Sequence, residues 1–145
     1  MSALLADGRL EAEFETLLKD DALAIPVAAI QCLLAVIEHS TSKTMMELDE
    51  ELRGAQRALL AFCAQRPDAL RGRTAISVRS GSELFLRHAT RTFLEFEDID
   101  ACRRTLLERG SHFAAASETS RAAIAEKGRA FVRDGSTVLV HGASP

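Results

Sequence analysis

Three arginines have the residue type and spacing to bind an anion. Arg79, Arg87 and Arg91 lie within thirteen residues of the chain, and a helix places Arg87 and Arg91, four residues apart, on one face. The string from Ser80 to Glu83 has the spacing of a capping box, which predicts a helix start with unpaired amides beside them. Because one guanidinium group can donate two parallel hydrogen bonds to a phosphate, the arrangement predicts a phosphate-facing surface. Ordinary surface arginines in an arginine-rich chain are the alternative interpretation.

The rest of the chain offers no arrangement for catalysis. The four histidines are scattered, and no phosphate-binding loop, nucleophile elbow or zinc-protease motif is present. The acidic run from Glu47 to Glu51 is typical of a solvated helix face. Cys32, Cys63 and Cys102 stand far apart without a CxxC pair, so they are predicted to be buried small hydrophobes. The sequence therefore predicts no enzyme activity, no cofactor and no metal site.

Length and composition are those of one helical domain. Hydrophobic residues make up 47% of the 145 residues, but aromatic residues only 5%, and the chain has 8 Gly and 3 Pro. A β-sandwich needs more aromatic and β-branched residues and more turns. The net charge of −3 argues against a nucleic-acid partner, and no apolar stretch has the length of a membrane span. Cysteine usage and the lack of a secretory signal indicate a cytoplasmic protein.

The hydrophobic pattern predicts an all-α bundle of about five to six helices. A short amphipathic helix over residues 10–20 comes first. The second helix begins at Pro26 and is apolar nearly all round, which is typical of the central helix of a bundle. Thr44 and Glu47 have capping-box spacing, and they predict the start of a third helix that ends before Pro67.

Two further helices are predicted in the second half of the chain. The capping box at Ser80 opens the fourth helix, which runs to about Glu95. Asp98 caps a fifth helix that runs towards Arg133, with interruptions near Gly110 and near residues 117–120.

The last residues change in character. Asp134-Gly135 is expected to end the helical region with a left-handed glycine. The β-branched apolar run over residues 137–140 then predicts a strand, and a lone strand has nothing to pair with. We therefore expect residues 136–145 to be the start of a second domain that continues beyond the given sequence.

Four strings of the sequence resemble the alpha subunits of eukaryotic translation initiation factor two B, in the same order and with few gaps from about Leu10 onwards. The resemblance implies a helical N-terminal domain over residues 1–135, followed by a Rossmann-like α/β domain whose first strand begins within 136–145. The strings are Pro26–Ile30, Ser77–Arg87, Cys102–Gly110 and Phe131–Gly142.

The resemblance also implies a regulatory role without catalysis. In that family the alpha subunit joins the beta and delta subunits in the regulatory core of a guanine-nucleotide exchange factor. That core senses the phosphorylated alpha subunit of initiation factor two, and the resemblance further implies that the full-length protein self-associates through the missing domain. The positions tied to sensing correspond here to Thr44, Glu47, Glu51, Phe85 and Thr92.

Several of these positions also have a structural interpretation. Ala28 and Ala29 match a further family position in the second helix, and we interpret them as a packing pair because larger side chains would overfill a buried contact. Thr44 and Glu47 form a capping box whether or not they meet a partner. Phe85 is expected in the core, where its effect on regulation would be indirect.

Sugar-phosphate isomerases of the same superfamily are the alternative function, and a generic helical adaptor is a further one. Isomerases that act on methylthioribose phosphate or ribose bisphosphate resemble this chain but carry an Arg-Gly-Ala string at the start of the second helix. This chain has Ile25-Pro26-Val27-Ala28 there, without the arginine that holds a phosphate. We therefore favour the regulatory interpretation.

Overall fold

The computed structural model describes residues 8–20 and 23–139. Within these ranges the chain contains no strand, which confirms the predicted all-α bundle. Five α-helices and one short 3-10 helix follow one another: α1 (Arg9–Leu17), α2 (Ile25–His39), α3 (Met45–Gln65), the 3-10 helix (Pro67–Leu70), α4 (Ala75–Phe93) and α5 (Ile99–Arg129).

Helix α2 is the centre of the bundle, as predicted. Nine of its fifteen residues are buried, and it packs against all four other α-helices. Pro26 lies in its first turn, where a missing N–H costs no helical hydrogen bond. On one side, α1 and α3 are joined by an edge-on contact between Phe14 and Phe62, whose ring centroids are 5.8 Å apart. A helix that is apolar all round is stable because each of its faces is covered.

Local capping signals place two helix starts where the sequence predicts them. The Thr44 hydroxyl and the Glu47 carboxylate form a complete capping box at the start of α3. The Asp98 carboxylate accepts a hydrogen bond of 2.8 Å from the Ala101 amide at the start of α5. Each side chain satisfies amides that the first helical turn leaves without a backbone partner.

The predicted start of the fourth helix at Ser80 is wrong. Helix α4 begins five residues earlier, and Thr74 is its N-cap, accepting from the Ile76 amide at 3.1 Å. Ser82 is fully buried inside the helix, where its hydroxyl donates to the Val78 carbonyl at 2.7 Å. Ser80 and Glu83 thus lie inside a helix that Thr74 caps, so their spacing alone does not mark a helix start.

Helix α5 is more regular than predicted, and it ends before Arg133. It runs unbroken through Gly110 and through residues 117–120, where interruptions were expected. Gly110 is buried because the side chain of Leu34 from α2 packs over it, so this glycine serves a helix contact and not a turn. The helix ends at Arg129, and Gly135 has the expected left-handed conformation (φ of 80°) but lies beyond the helix end.

The second half of α5 and the residues after it contribute no buried side chain to the described core. From Ser111 to residue 139 every side chain that the structure describes is exposed, including Phe131 and Leu139. Residues 137–139 form no strand, and the rest of the predicted strand, with residues 140–145, lies outside the described residues. The division into domains at residue 135 stays a prediction. None of the helices described is long and apolar enough to cross a membrane.

The three cysteines are buried and free, as the sequence predicts. Burial raises the pKa of the Cys32 thiol to about 12, and the nearby Glu13 carboxylate adds to this effect. A thiol with so high a pKa carries almost no thiolate at neutral pH, so Cys32 acts as a core side chain.

Candidate functional site

A groove of about 740 Å³ opens beside the first turns of α3, and we call it the α3 groove. The loop between α2 and α3 forms one wall, and α3 forms the other. The side chains are mostly charged: Lys43 lies on the loop wall, and three carboxylates and two arginines lie on the α3 wall. The lining residues are Thr41, Ser42, Lys43, Glu47, Glu50, Glu51, Arg53, Gly54 and Arg57.

The capping box fixes the rim of the α3 groove. The Thr44 hydroxyl accepts from the Glu47 amide at 3.2 Å, and the Glu47 carboxylate accepts from the amides of Lys43 at 2.8 Å and Thr44 at 3.2 Å. The bonds from the Lys43 and Thr44 amides hold the pKa of Glu47 below its ordinary value. Both side chains remain exposed, so they are accessible to a partner while they cap the helix.

A buried carboxylate lies at the base of the α3 groove. Glu51 is only 7% exposed, and its Oε2 accepts a hydrogen bond of 2.6 Å from the Ser40 hydroxyl at the end of α2. The Ser42 amide in turn donates to the Ser40 Oγ at 3.1 Å. Burying a carboxylate is costly unless it is hydrogen-bonded, so this pair links the end of α2 firmly to α3.

Helix α5 is hydrogen-bonded to the same loop through Arg103. Arg103 donates from Nη2 to the Ser42 carbonyl at 2.8 Å and from Nη1 to the Asp100 carboxylate at 3.0 Å. Its side chain is 19% exposed. The loop therefore has hydrogen bonds to α3 and α5 and follows directly from α2. Sequence reasoning missed Ser40, Ser42 and Arg103, because no local pattern connects residues that are 61 positions apart.

Two other residues predicted for regulation lie elsewhere, between α4 and α5. Phe85 is 3% exposed and Thr92 is fully buried. Thr92 Oγ1 donates to the His88 carbonyl at 3.0 Å and accepts from Arg109 Nη1 at 3.4 Å, while the same guanidinium nitrogen donates to Glu95 at 2.8 Å. We call Phe85, Thr92 and Arg109 the α4–α5 seam. The structure thus divides the predicted residues between two regions.

The predicted phosphate-facing arginines are exposed along α4. Arg79 lies 4.0 Å from the Glu83 carboxylate, and Arg87 and Arg91 have no hydrogen-bond or ion-pair partner within the described residues. The amides of Ser80 to Glu83 are inside the helix and bonded to the preceding turn, so the expected helix-start amides beside these arginines are not free. A phosphate-facing role of the three arginines stays a prediction.

The alanine pair lies in the centre of the bundle. Ala28 is 1% exposed and Ala29 is fully buried. Next to them α2 comes very close to α4, because a Cβ added to Gly81 would lie 2.6 Å from the Cβ of Pro26. Their assignment as a packing pair stays a prediction that replacement by valine would test. Across the described part of the chain, no three His, Cys, Asp or Glu side chains converge as metal ligands do.

Comparison with known proteins identifies the family of this fold. The profile of the Initiation factor 2 subunit family matches residues 19–145. A translation initiation factor eIF2B subunit alpha from Dictyostelium discoideum is 36% identical over 135 residues. These residues are 92% of this chain and 40% of that relative, so the chain spans well under half of the relative's length. The chain belongs to the Initiation factor 2 subunit family.

Proposed function

We propose that this chain is a helical domain of a regulatory, non-catalytic subunit of a translation initiation guanine-nucleotide exchange factor. We further propose that its α3 groove contacts the alpha subunit of initiation factor two and helps to sense its phosphorylated form. The similarity to a subunit alpha of eIF2B supports the first part. In the assembled factor the neighbours would be the beta and delta subunits.

The arrangement of residues around the α3 groove is the main support for the regulatory part of the proposal. It brings Glu47 and Glu51 to one opening, with Thr44 at its rim, and these are positions that the resemblance ties to sensing. The loop that forms its wall is held in place by Ser40 and Arg103. A site that is rigid before binding loses little conformational freedom when a partner docks, which strengthens binding.

The sugar-phosphate isomerase alternative receives no support from the start of α2. Pro26 packs directly on Gly81, and the side chains of Ile25 and Val27 are 5% and 2% exposed. This end of α2 is therefore committed to packing between helices. Turnover of methylthioribose phosphate by the full-length protein would overturn the non-catalytic part of the proposal.

A pull-down with the assembled exchange factor tests the regulatory part. Phosphorylated and unphosphorylated alpha subunit of initiation factor two are compared as baits, with the subunit that contains this chain present or left out. We expect the preference for the phosphorylated bait to depend on the presence of the subunit. Equal responses to both baits in the two complexes would contradict the proposal.

A further inference from the structure

A second groove opens between α4 and the second half of α5, and none of the described residues that line it is charged. It has a volume of about 410 Å³, and we call it the apolar groove. Pro26 and Val27, at the start of α2, form its base, whereas the α3 groove lies beside the loop that follows the other end of α2. The two grooves therefore differ in both position and charge.

The walls of the apolar groove have the composition of an interface core. Leu84 on α4 and Phe113 on α5 are large apolar residues, yet they are 45% and 41% exposed. Small residues line much of the remainder, including Ser80 and Gly81 on α4 and Ala116 on α5. Buried interface cores are poor in charged residues, and covering the two large side chains removes apolar surface from water. The groove is therefore suited to a folded protein surface.

The second half of α5 has an apolar line that no described residue covers. Phe113, Ala116, Ser120 and Ile124 follow one another at the spacing of one helix face. From residue 111 to the end of α5 the helix rises about 28 Å, and no described side chain along it is buried. Most of the stability of a protein helix comes from packing of its apolar face. A surface that covers this line would therefore stabilise α5.

The polypeptide that follows α5 starts close to the apolar groove. Ser120 lines the groove, and Arg129 at the helix end is nine residues further on, a rise of about 14 Å. Two tight turns come next, in which the amides of Phe131 and Ser136 each donate at 3.0 Å to a carbonyl three residues back. These turns shorten the path of the chain, so the residues after Ser136 remain near the end of α5.

The family comparison shows that a relative has a large part beyond the length matched here. The match covers 40% of the Dictyostelium discoideum protein, so more than half of that protein lies outside it. A helix of about 20 residues is as long as a small domain is wide. A domain joined to α5 by a short connection therefore has the size and position to lie along the uncovered half of the helix.

We propose that the apolar groove is the docking site of the second domain expected after residue 135, and that this domain buries Leu84 and Phe113. The same chain is favoured over a separate partner because a short connection gives its own domain a high effective concentration at the groove. This inference goes beyond the proposed function and does not use the α3 groove. It depends on the predicted second domain, and a failure of the regulatory proposal leaves it unchanged.

Alkylation of introduced cysteines tests the proposal by comparing the full-length protein with the 145-residue chain. The three native cysteines are buried, so an introduced surface thiol reacts first. Ser80→Cys places a thiol in the apolar groove, and Thr90→Cys places one on exposed α4 surface outside it. We expect Ser80→Cys to react at least about tenfold more slowly in the full-length protein, because its thiol is accessible only when the two domains separate. Thr90→Cys should react at the same rate in both.

A variant of the groove wall provides a second measurement. Phe113→Ala should lower the melting temperature of the full-length protein more than that of the 145-residue chain, in which the ring is already partly exposed. Leu94→Ala is the control, because Leu94 is 86% exposed at the end of α4 and does not line the groove. It should have the same small effect on both proteins.

Four results would overturn the proposal. Equal alkylation rates of Ser80→Cys in the two proteins would show that the second domain leaves the groove open. Protection that grows with the concentration of the 145-residue chain would assign the groove to a second copy. Protection of the full-length protein only after the beta and delta subunits are added would assign it to those subunits. Equal losses of melting temperature for Phe113→Ala would show that the ring supports the helical bundle alone.

Discussion

The α3 groove and the α4–α5 seam contain residues with the same implied role in opposite physical settings. Thr44 and Glu47 are exposed at the rim of the α3 groove. Phe85 and Thr92 are 3% and 0% exposed in the α4–α5 seam. A partner can touch the first pair without moving the bundle, whereas it cannot reach the second pair unless helices separate. The resemblance ties both pairs to one regulatory response, but direct contact with a partner is open only to the first pair.

Glu51 combines features of the two regions. Its side chain is buried and bonded to Ser40, as in a core, yet it lines the α3 groove. The loop that forms one wall of the groove is hydrogen-bonded to Glu51 through Ser40 and to Arg103 through Ser42. A change in helix packing can therefore move that wall. We therefore expect the groove variants to affect binding directly and the seam variants to affect it through stability.

The largest effect is expected in the seam. Phe85→Ala removes a buried ring between α4 and α5 and should lower the free energy of unfolding by about 3–5 kcal/mol. Urea unfolding followed by circular dichroism measures the loss. Any loss of the response to the phosphorylated partner should be proportional to the fraction of the variant that is unfolded. A variant of parent stability that no longer responds to the partner would show that Phe85 acts directly and would break the comparison.

Two glycine substitutions compare rigid with adaptable packing. A Cβ at Gly81 would lie 2.6 Å from the Cβ and 3.0 Å from the Cα of Pro26, so Gly81→Ala should force α2 and α4 apart and cost about 1–3 kcal/mol. At Gly110 the added Cβ would meet only the end of the Leu34 side chain, which can rotate. Gly110→Ala should therefore cost less, and the helix propensity of Ala offsets part of the cost. Equal losses of melting temperature would contradict this distinction.

A smaller effect is expected at the groove rim, where two caps provide a matched pair. Thr44→Ala and Thr74→Ala each remove one hydroxyl that accepts from a helix amide, and each should cost about 1 kcal/mol. Only Thr44 lies at the α3 groove, so only its variant should weaken the preference for the phosphorylated partner. If both variants weaken that preference alike, the effect comes from stability and the groove has no special role.

The smallest effect is the acid dependence of the capping box. The Lys43 and Thr44 amides lower the pKa of Glu47 in the folded state, so the ionised carboxylate stabilises the fold above the ordinary pKa of 4.5. This stabilisation is lost as the pH falls through the lowered pKa. Between neutral pH and about pH 3, the melting temperature should therefore fall less for Glu47→Gln than for the parent. Parallel profiles would contradict the assignment.

The capping box of the candidate site was predictable from the sequence because it depends only on neighbouring residues. Thr44 and Glu47 are three residues apart, and their capping box requires only the helix that contains them. The same signal misplaced the start of α4, because Ser80 and Glu83 have capping-box spacing but lie inside a helix that Thr74 caps. Contacts such as Arg103 with Ser42 join distant parts of the chain. They depend on how the helices pack, which the periodicity of the sequence does not specify.

Charge reversal at Glu50 tests most directly whether the α3 groove contacts the partner. Glu50 is exposed and lines the α3 groove without being part of the capping box, whereas Glu108 is exposed on α5 outside that groove. In the assembled factor, we expect Glu50→Lys to change the affinity ratio for phosphorylated over unphosphorylated partner by about fivefold at an unchanged melting temperature, and Glu108→Lys to leave it unchanged. An unchanged ratio in Glu50→Lys would contradict direct contact at the groove.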